Sequence, residues 1–161
     1  MKTDNFQKVL IALDYDPTAK KVADIGFSLA KAMGAEVMLL HVIADGTYYS
    51  SLEYSPMQGF MGFSNDDFSH LFNEGGLKKA TKYFLDKSKQ YLGDESILTA
   101  IKEGDFADTI LAASKEYNID IIIMGSHSRR WLDEILLGSV TEKVLHHTTI
   151  PLFIVPTKKH K

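Results

Sequence analysis

The chain has 161 residues, with 18 basic side chains against 21 acidic ones, a formal net charge of -3 and no cysteine. That length suits one domain whose core can fold without covalent staples. The absence of thiols excludes a disulfide framework, thiol catalysis and thiolate metal sites, and it suits a cytoplasmic protein. Basic residues cluster only in the tail from Lys158 to Lys161, which argues against nucleic acid as a partner. No apolar run has the length of a membrane span and the N-terminus has no apolar signal core, so neither a membrane nor export is expected.

Val9, Leu10, Ile11, Ala12 and Leu13 form an unbroken apolar run, the pattern of a strand buried on both faces. Asp14 follows, and then Asp16 and Pro17 supply an N-cap and a first helical residue. Val22, Ile25, Leu29 and Met33 recur at three- and four-residue spacing, which predicts a helix stopped by Gly34. A second buried strand is expected over 37–43, completing a βαβ unit with a right-handed crossover. From 44 to 73, turn residues mix with Tyr48, Tyr49, Phe60, Met61 and Phe63 without a period. That stretch reads as an irregular insertion: a loop with at most a weak helical turn, or a flap over a ligand or a patch on a partner subunit.

Leu77, Ala80, Phe84, Ser88 and Tyr91 mark one face of a long helix, and a strand is expected over 97–101. Glu103, Gly104 and Asp105 turn the chain into another helix. Asp105 is its N-cap, Asp108 stands at the capping-box acid, and Ala107, Ile110, Leu111 and Tyr117 form its buried stripe. The next apolar run, a strand over 120–124, ends at Gly125. A helix from Ser139 to about His147 follows, with Ser139 and Glu142 at capping-box spacing, and then a last strand over 152–155. Five strands alternating with four helices predict an α/β fold. It is a five-stranded, parallel, doubly wound, Rossmann-like sheet with helices on both faces, in one domain without internal repeats.

Such sheets bind ligands beyond the C-terminal ends of their strands, where strand order reverses. Ala12, Leu13 and Asp14 at the first strand and Met124 and Gly125 at the fourth are therefore the places to look. A helix that opens on Gly138 and Ser139 offers free amides and the positive end of a dipole, which a phosphate needs.

Gly125, two residues, Ser128, nine residues, Gly138 and Ser139 together resemble the nucleotide-binding signature of the universal stress protein family. The flanks agree, with Leu136, Leu137 and Val140 around Gly138 and the closing run from Ile150 to Val155; the similarity covers most of the chain from Val9 to Val155, apart from a divergent middle. One position departs, because Ser128 stands where the signature has its second glycine. Ser serves there if the position only donates a backbone N–H, and carries a cost if the backbone needs a positive φ.

The resemblance implies the adenine nucleotide alpha-hydrolase-like form of the fold, with ATP, ADP or AMP as ligand. It implies adenine at the backbone of Val42, ribose near Ala12 and Gly125, and phosphates over Ser128, Gly138, Ser139 and Val140. Asp14 would lie near the phosphates, where a carboxylate is useful for holding Mg²⁺. It is equally readable as the acid that opens the first helix. Arg129 is a candidate phosphate contact. A homodimer through the last strand is also implied, which would cover an apolar edge.

Other chemistries find no support. There is no Walker-type glycine–lysine loop, no dinucleotide fingerprint after the first strand and no serine nucleophile elbow. His127 has no acid or nucleophile placed to work with it, and His146 and His147 are helix neighbours that project apart. Trp131 and Leu132 read as loop anchors. The expected function is therefore an adenine-nucleotide-binding sensor or adaptor of the stress response. A slow ATPase with metal at Asp14 is the second reading. The third is a dimeric family member whose site Ser128 has disabled.

Overall fold

A computed structural model describes residues 5–14, 18–44, 76–126 and 137–157, with the backbone alone at 76 and 77. The chain runs β1 (Lys8–Ala12), α1 (Ala19–Met33), β2 (Glu36–Ile43), α2 (Gly76–Leu92), β3 (Leu98–Glu103), α3 (Phe106–Glu116), β4 (Ile121–Gly125), α4 (Ser139–His147) and β5 (Leu152–Val155). The strands form one parallel sheet in the order β3-β2-β1-β4-β5. Val9 sits between Val37 and Ile121, and Ile11 between Leu39 and Ile123. These central strands are apolar on both faces because both faces are covered, as parallel sheets require.

Alternate residues separate into two core layers. Val9, Ile11, Leu39 and Ile123 pack under α1 and α2, with Val22, Ala23, Phe84 and Leu85. Leu10, Leu40, Val42 and Ile122 pack under α3 and α4, with Ala107, Ile110 and Val144. The doubly wound arrangement expected from the sequence is the one observed. Asp120 locks its lower edge: its carboxylate accepts from the amides of Gln7 and Lys8, each at 2.9 Å, and its own amide donates to the Lys8 carbonyl at 2.9 Å.

Several local expectations need correction. α1 starts at Ala19 after Thr18, whose side chain makes no cap bond, so the start predicted at Pro17 is displaced; Asp16 and Pro17 lie outside the described residues. The buried line of α1 is Ala19, Val22, Ala23, Gly26 and Ala30, whereas Ile25 is 36% exposed and Leu29 and Met33 are only partly buried. The cause is close approach to the sheet. A Cβ at Gly26 would lie 2.9 Å from Ile11 Cδ1 and 3.2 Å from Ile123 Cγ2, so small residues face the strands and larger ones flank them. Gly34 does stop the helix, in the left-handed conformation at φ 66°.

On α2, Ala80, Phe84 and Ser88 are buried as expected, and the Ser88 hydroxyl donates to the Phe84 carbonyl. Tyr91 is not: it is 42% exposed, its hydroxyl donates to Asp24 and Lys20 sits over its ring at 4.4 Å. The Leu77 side chain lies outside the described residues. β3 starts one residue later than expected, leaving Ile97 buried in the preceding turn, and continues to Glu103. Asp105 caps α3 as predicted, accepting from the Asp108 amide at 3.0 Å. The Asp108 carboxylate meets Lys143 of α4 at 3.1 Å.

The capping box expected on α4 does not form. Gly138 is the N-cap, so Ser139 is the first helical residue and its side chain is exposed; Glu142 instead faces His146 at 3.8 Å. Shifting the cap by one residue takes Ser139 out of the reach a capping hydroxyl needs.

Candidate functional site

All five strands point the same way, so their C-terminal ends share one edge. Here β1 and β4 leave the sheet side by side, one step past the Ile11–Ile123 pair, with α1 departing over one face and α4 over the other. This is the reversal point of strand order, and the structure places Ala12, Leu13, Asp14, Met124 and Gly125 there. The β1–β2 ladder closes at Ala12 and Leu40, with one further bond from the Leu13 amide to the Leu40 carbonyl at 2.9 Å. β2 runs on to Ile43. Val42 therefore stands past the end of β1 with its side chain in the core, which leaves backbone as what it can present on the β1 side. On the other side, the Gly104 amide donates to the Ile43 carbonyl at 3.0 Å.

A residue not singled out in the sequence holds the β1 exit. His41 is buried, its ring stands edge-on to Phe84 at 6.1 Å and 82°, and its Nδ1 lies 2.6 Å from the Leu13 carbonyl. A carbonyl only accepts, so Nδ1 carries the proton and donates. Burial pushes the imidazole down to about 4, while the Leu13 carbonyl acts weakly in the opposite sense, and His41 is neutral at pH 7. One polar residue inside the apolar run 37–43 was the available signal, since a buried polar side chain requires a partner.

The β4 exit is tied at several points. The Thr141 hydroxyl donates to the Gly125 carbonyl at 2.8 Å, and the Gly138 amide donates to the Ser126 carbonyl at 3.2 Å. The Ser126 amide continues the sheet to the Val155 carbonyl at 2.9 Å, and the Thr157 amide donates to Ser126 Oγ at 3.0 Å. Both ends of the signature, Gly125 and Gly138, are thus brought together. The first intrahelical bond of α4 runs from the Glu142 amide to the Gly138 carbonyl. The amides of Ser139, Val140 and Thr141 precede it, and no acceptor takes them among the described residues.

Ser128 and Arg129 lie outside the described residues, as do His127, Arg130, Trp131, Leu132 and positions 45–73 of the expected insertion. Asp14 is half-buried at the β1 exit, and no three metal-binding side chains gather among the described residues. A lone carboxylate fits Mg²⁺, which keeps water and phosphate oxygens as most of its ligands. The cleft of about 190 Å³ that includes Lys8, Glu36, Leu98 and Glu116 lies at the opposite, N-terminal edge of the sheet and is no part of this site.

Comparisons with known proteins bear on the family and the fold. A family model described as "Universal stress protein family" matches residues 5–156. Universal stress protein YxiE of Bacillus subtilis is 30% identical over 93% of this chain and 99% of its own length. Universal stress protein MJ0577 of Methanocaldococcus jannaschii is 31% identical over 95% of this chain and 96% of its own. The solved MJ0577 structure superposes with a TM-score of 0.70 over 97% of this chain and 99% of that one, at 28% identity. A universal stress protein from Archaeoglobus fulgidus, solved in complex with dAMP, shares the fold at a TM-score of 0.56 and 15% identity, covering 93% of this chain and 98% of that one.

Proposed function

The chain belongs to the universal stress protein family, and on that premise we propose that it binds an adenine nucleotide at the reversal point of its sheet and acts in the stress response as a nucleotide-occupied sensor or adaptor. In this reading the Val42 backbone reads adenine and Ala12, Leu13, Met124 and Gly125 line the ribose. Gly138, Ser139 and Val140 hold the phosphates, joined by Ser128 and Arg129. Asp14 would hold Mg²⁺, which supplies neutralising charge to the phosphates. The observation that carries the reading is the set of amides at the start of α4, held beside the β4 exit and without acceptors among the described residues. The dAMP complex of the Archaeoglobus relative supports the ligand class. A cytoplasmic setting belongs to the same proposal; no helix among the described residues is long and apolar enough to cross a membrane.

The test is to denature fresh protein, identify any released nucleotide by chromatography, and titrate ATP with Mg²⁺ by calorimetry. Binding in about the micromolar range is expected, roughly -8 kcal/mol. Ser139→Glu gives a sharper check. A carboxylate in the first helical turn favours the helix dipole, so stability should hold, while phosphate affinity should fall about tenfold or more. Wild-type protein that neither carries nor binds nucleotide would remove the proposal. Retained ATP in the same samples speaks for a binder, and accumulating ADP for a slow ATPase.

The homodimer through β5 is proposed on a second observation. Among the described residues β5 pairs with β4 on one side only, and Phe153 in its middle is 39% exposed. Phe153→Asp is expected to convert a dimer to a folded monomer in sedimentation experiments. A soluble dimer unchanged by that substitution would remove the interface.

A further inference from the structure

We infer that Thr141, Ser126 and Thr157 form a hydroxyl bracket that fixes the first turn of α4 against the exit of β4, and that Thr141 is thereby a positioning residue for the phosphate-bearing ligand. The inference rests on the nucleotide reading above and names residues outside its contact set.

Thr141 is a helical residue almost wholly buried, yet its hydroxyl reaches back across the chain to the Gly125 carbonyl at 2.8 Å. The next carbonyl, that of Ser126, is taken by the Gly138 amide at 3.2 Å. Two consecutive carbonyls at the end of β4 are therefore both occupied by donors from the start of α4. Ser126 is held in turn from the far side. Its amide donates to the Val155 carbonyl, its hydroxyl accepts from the buried Thr157 amide at 3.0 Å, and the two hydroxyls stand 3.4 Å apart. The helix start cannot slide or tilt without breaking bonds in the sheet it rests on.

These bonds satisfy backbone carbonyls, and they also hold the first-turn amides in a fixed place where a ligand would meet them. Donors held in position before a ligand arrives bind it more tightly than donors that must be ordered at the moment of binding. Thr141→Val keeps the shape of the side chain and removes the donor, so it should loosen the bracket while leaving the core filled. Thr141→Ser keeps the donor and should behave as wild type.

The experiment compares the affinity for Mg²⁺–ATP of the wild type, Thr141→Val, Thr141→Ser and a control, Val144→Ala. The control opens a buried position of α4 outside the bracket. All are measured by calorimetry at a temperature where each is folded, with backbone amide exchange at Gly138 followed in parallel. About a tenfold weaker affinity for Thr141→Val is expected, with Thr141→Ser and Val144→Ala close to wild type, and faster exchange at Gly138 only in Thr141→Val. An unchanged affinity in Thr141→Val, or an equal loss in Val144→Ala, overturns the bracket. If the wild type binds no nucleotide, the functional reading fails by itself. The bracket is then decided by exchange: acceleration at Gly138 in Thr141→Val upholds it and unchanged exchange overturns it.

Discussion

Phe84→Ala is expected to lower the free energy of unfolding by about 3–5 kcal/mol, measured by urea denaturation at neutral pH. Phe84 is 0% exposed and is the largest fully buried side chain among the described residues. Among the described residues of α2, Ala80, Thr81 and Ser88 are buried but small, Tyr83 and Leu92 are only partly buried, and Phe84 and Leu85 are the large apolar side chains it buries fully. Removing the ring leaves a cavity against Val9-layer residues that a rigid parallel sheet cannot close. It also strips the edge-to-face contact from His41. A loss of this size is a large fraction of the stability of an ordinary domain. A measured loss below about 1 kcal/mol would mean that α2 collapses freely onto the sheet, contrary to the packing described.

The second large effect is acid destabilisation through His41. Its folded-state value is depressed from 6.5 to about 4 because burial disfavours the cation. Above pH 6.5 both folded and unfolded chains hold it neutral, and it contributes nothing to the pH dependence. Between 6.5 and 4 the unfolded chain takes up a proton that the folded chain refuses, so stability falls as pH falls. The slope approaches about 1.4 kcal/mol per pH unit, and the total approaches about 3 kcal/mol near pH 4. His41→Asn retains an N–H for the Leu13 carbonyl and cannot titrate. The difference between wild type and His41→Asn, followed by urea denaturation from pH 7 to 4, isolates the imidazole from carboxylates that titrate lower, such as Asp94 at about 2. Parallel curves for the two proteins would show that His41 is protonated without penalty. Through this range the folded ring stays neutral and its Nδ1 keeps donating to the Leu13 carbonyl, so the loss falls on global stability while the β1 wall of the candidate site stays held.

The two effects are coupled. With Phe84 gone, water reaches the imidazole, its burial penalty shrinks and the acid-dependent loss should diminish, so the two substitutions should not add.

The overall architecture was legible in the sequence because it follows from short-range patterning. Unbroken apolar runs at Val9–Leu13 positions and at 121–124 mean strands covered on both faces, and their alternation with helical periods means a parallel sheet. The stop at Gly34 and the cap at Asp105 were equally legible, because each depends on one residue and its nearest neighbours. The signature from Gly125 to Ser139 carried the family resemblance, which the family model bears out. Only the tertiary structure decided what faces what. Periodicity pointed to Ile25 and Leu29 on α1, but close contact with Ile11 and Ile123 selected the small residues around Gly26 instead. The helix start at Ser139 was legible, but spacing put the cap at Ser139 and the structure has it at Gly138, whose amide bonds to Ser126. The bonds from His41 to Leu13 and from Thr141 to Gly125 join positions 28 and 16 residues apart. Composition and period report average burial and local backbone preference; these contacts depend on strand register and on how near each helix lies to the sheet, which exist only once the chain has packed.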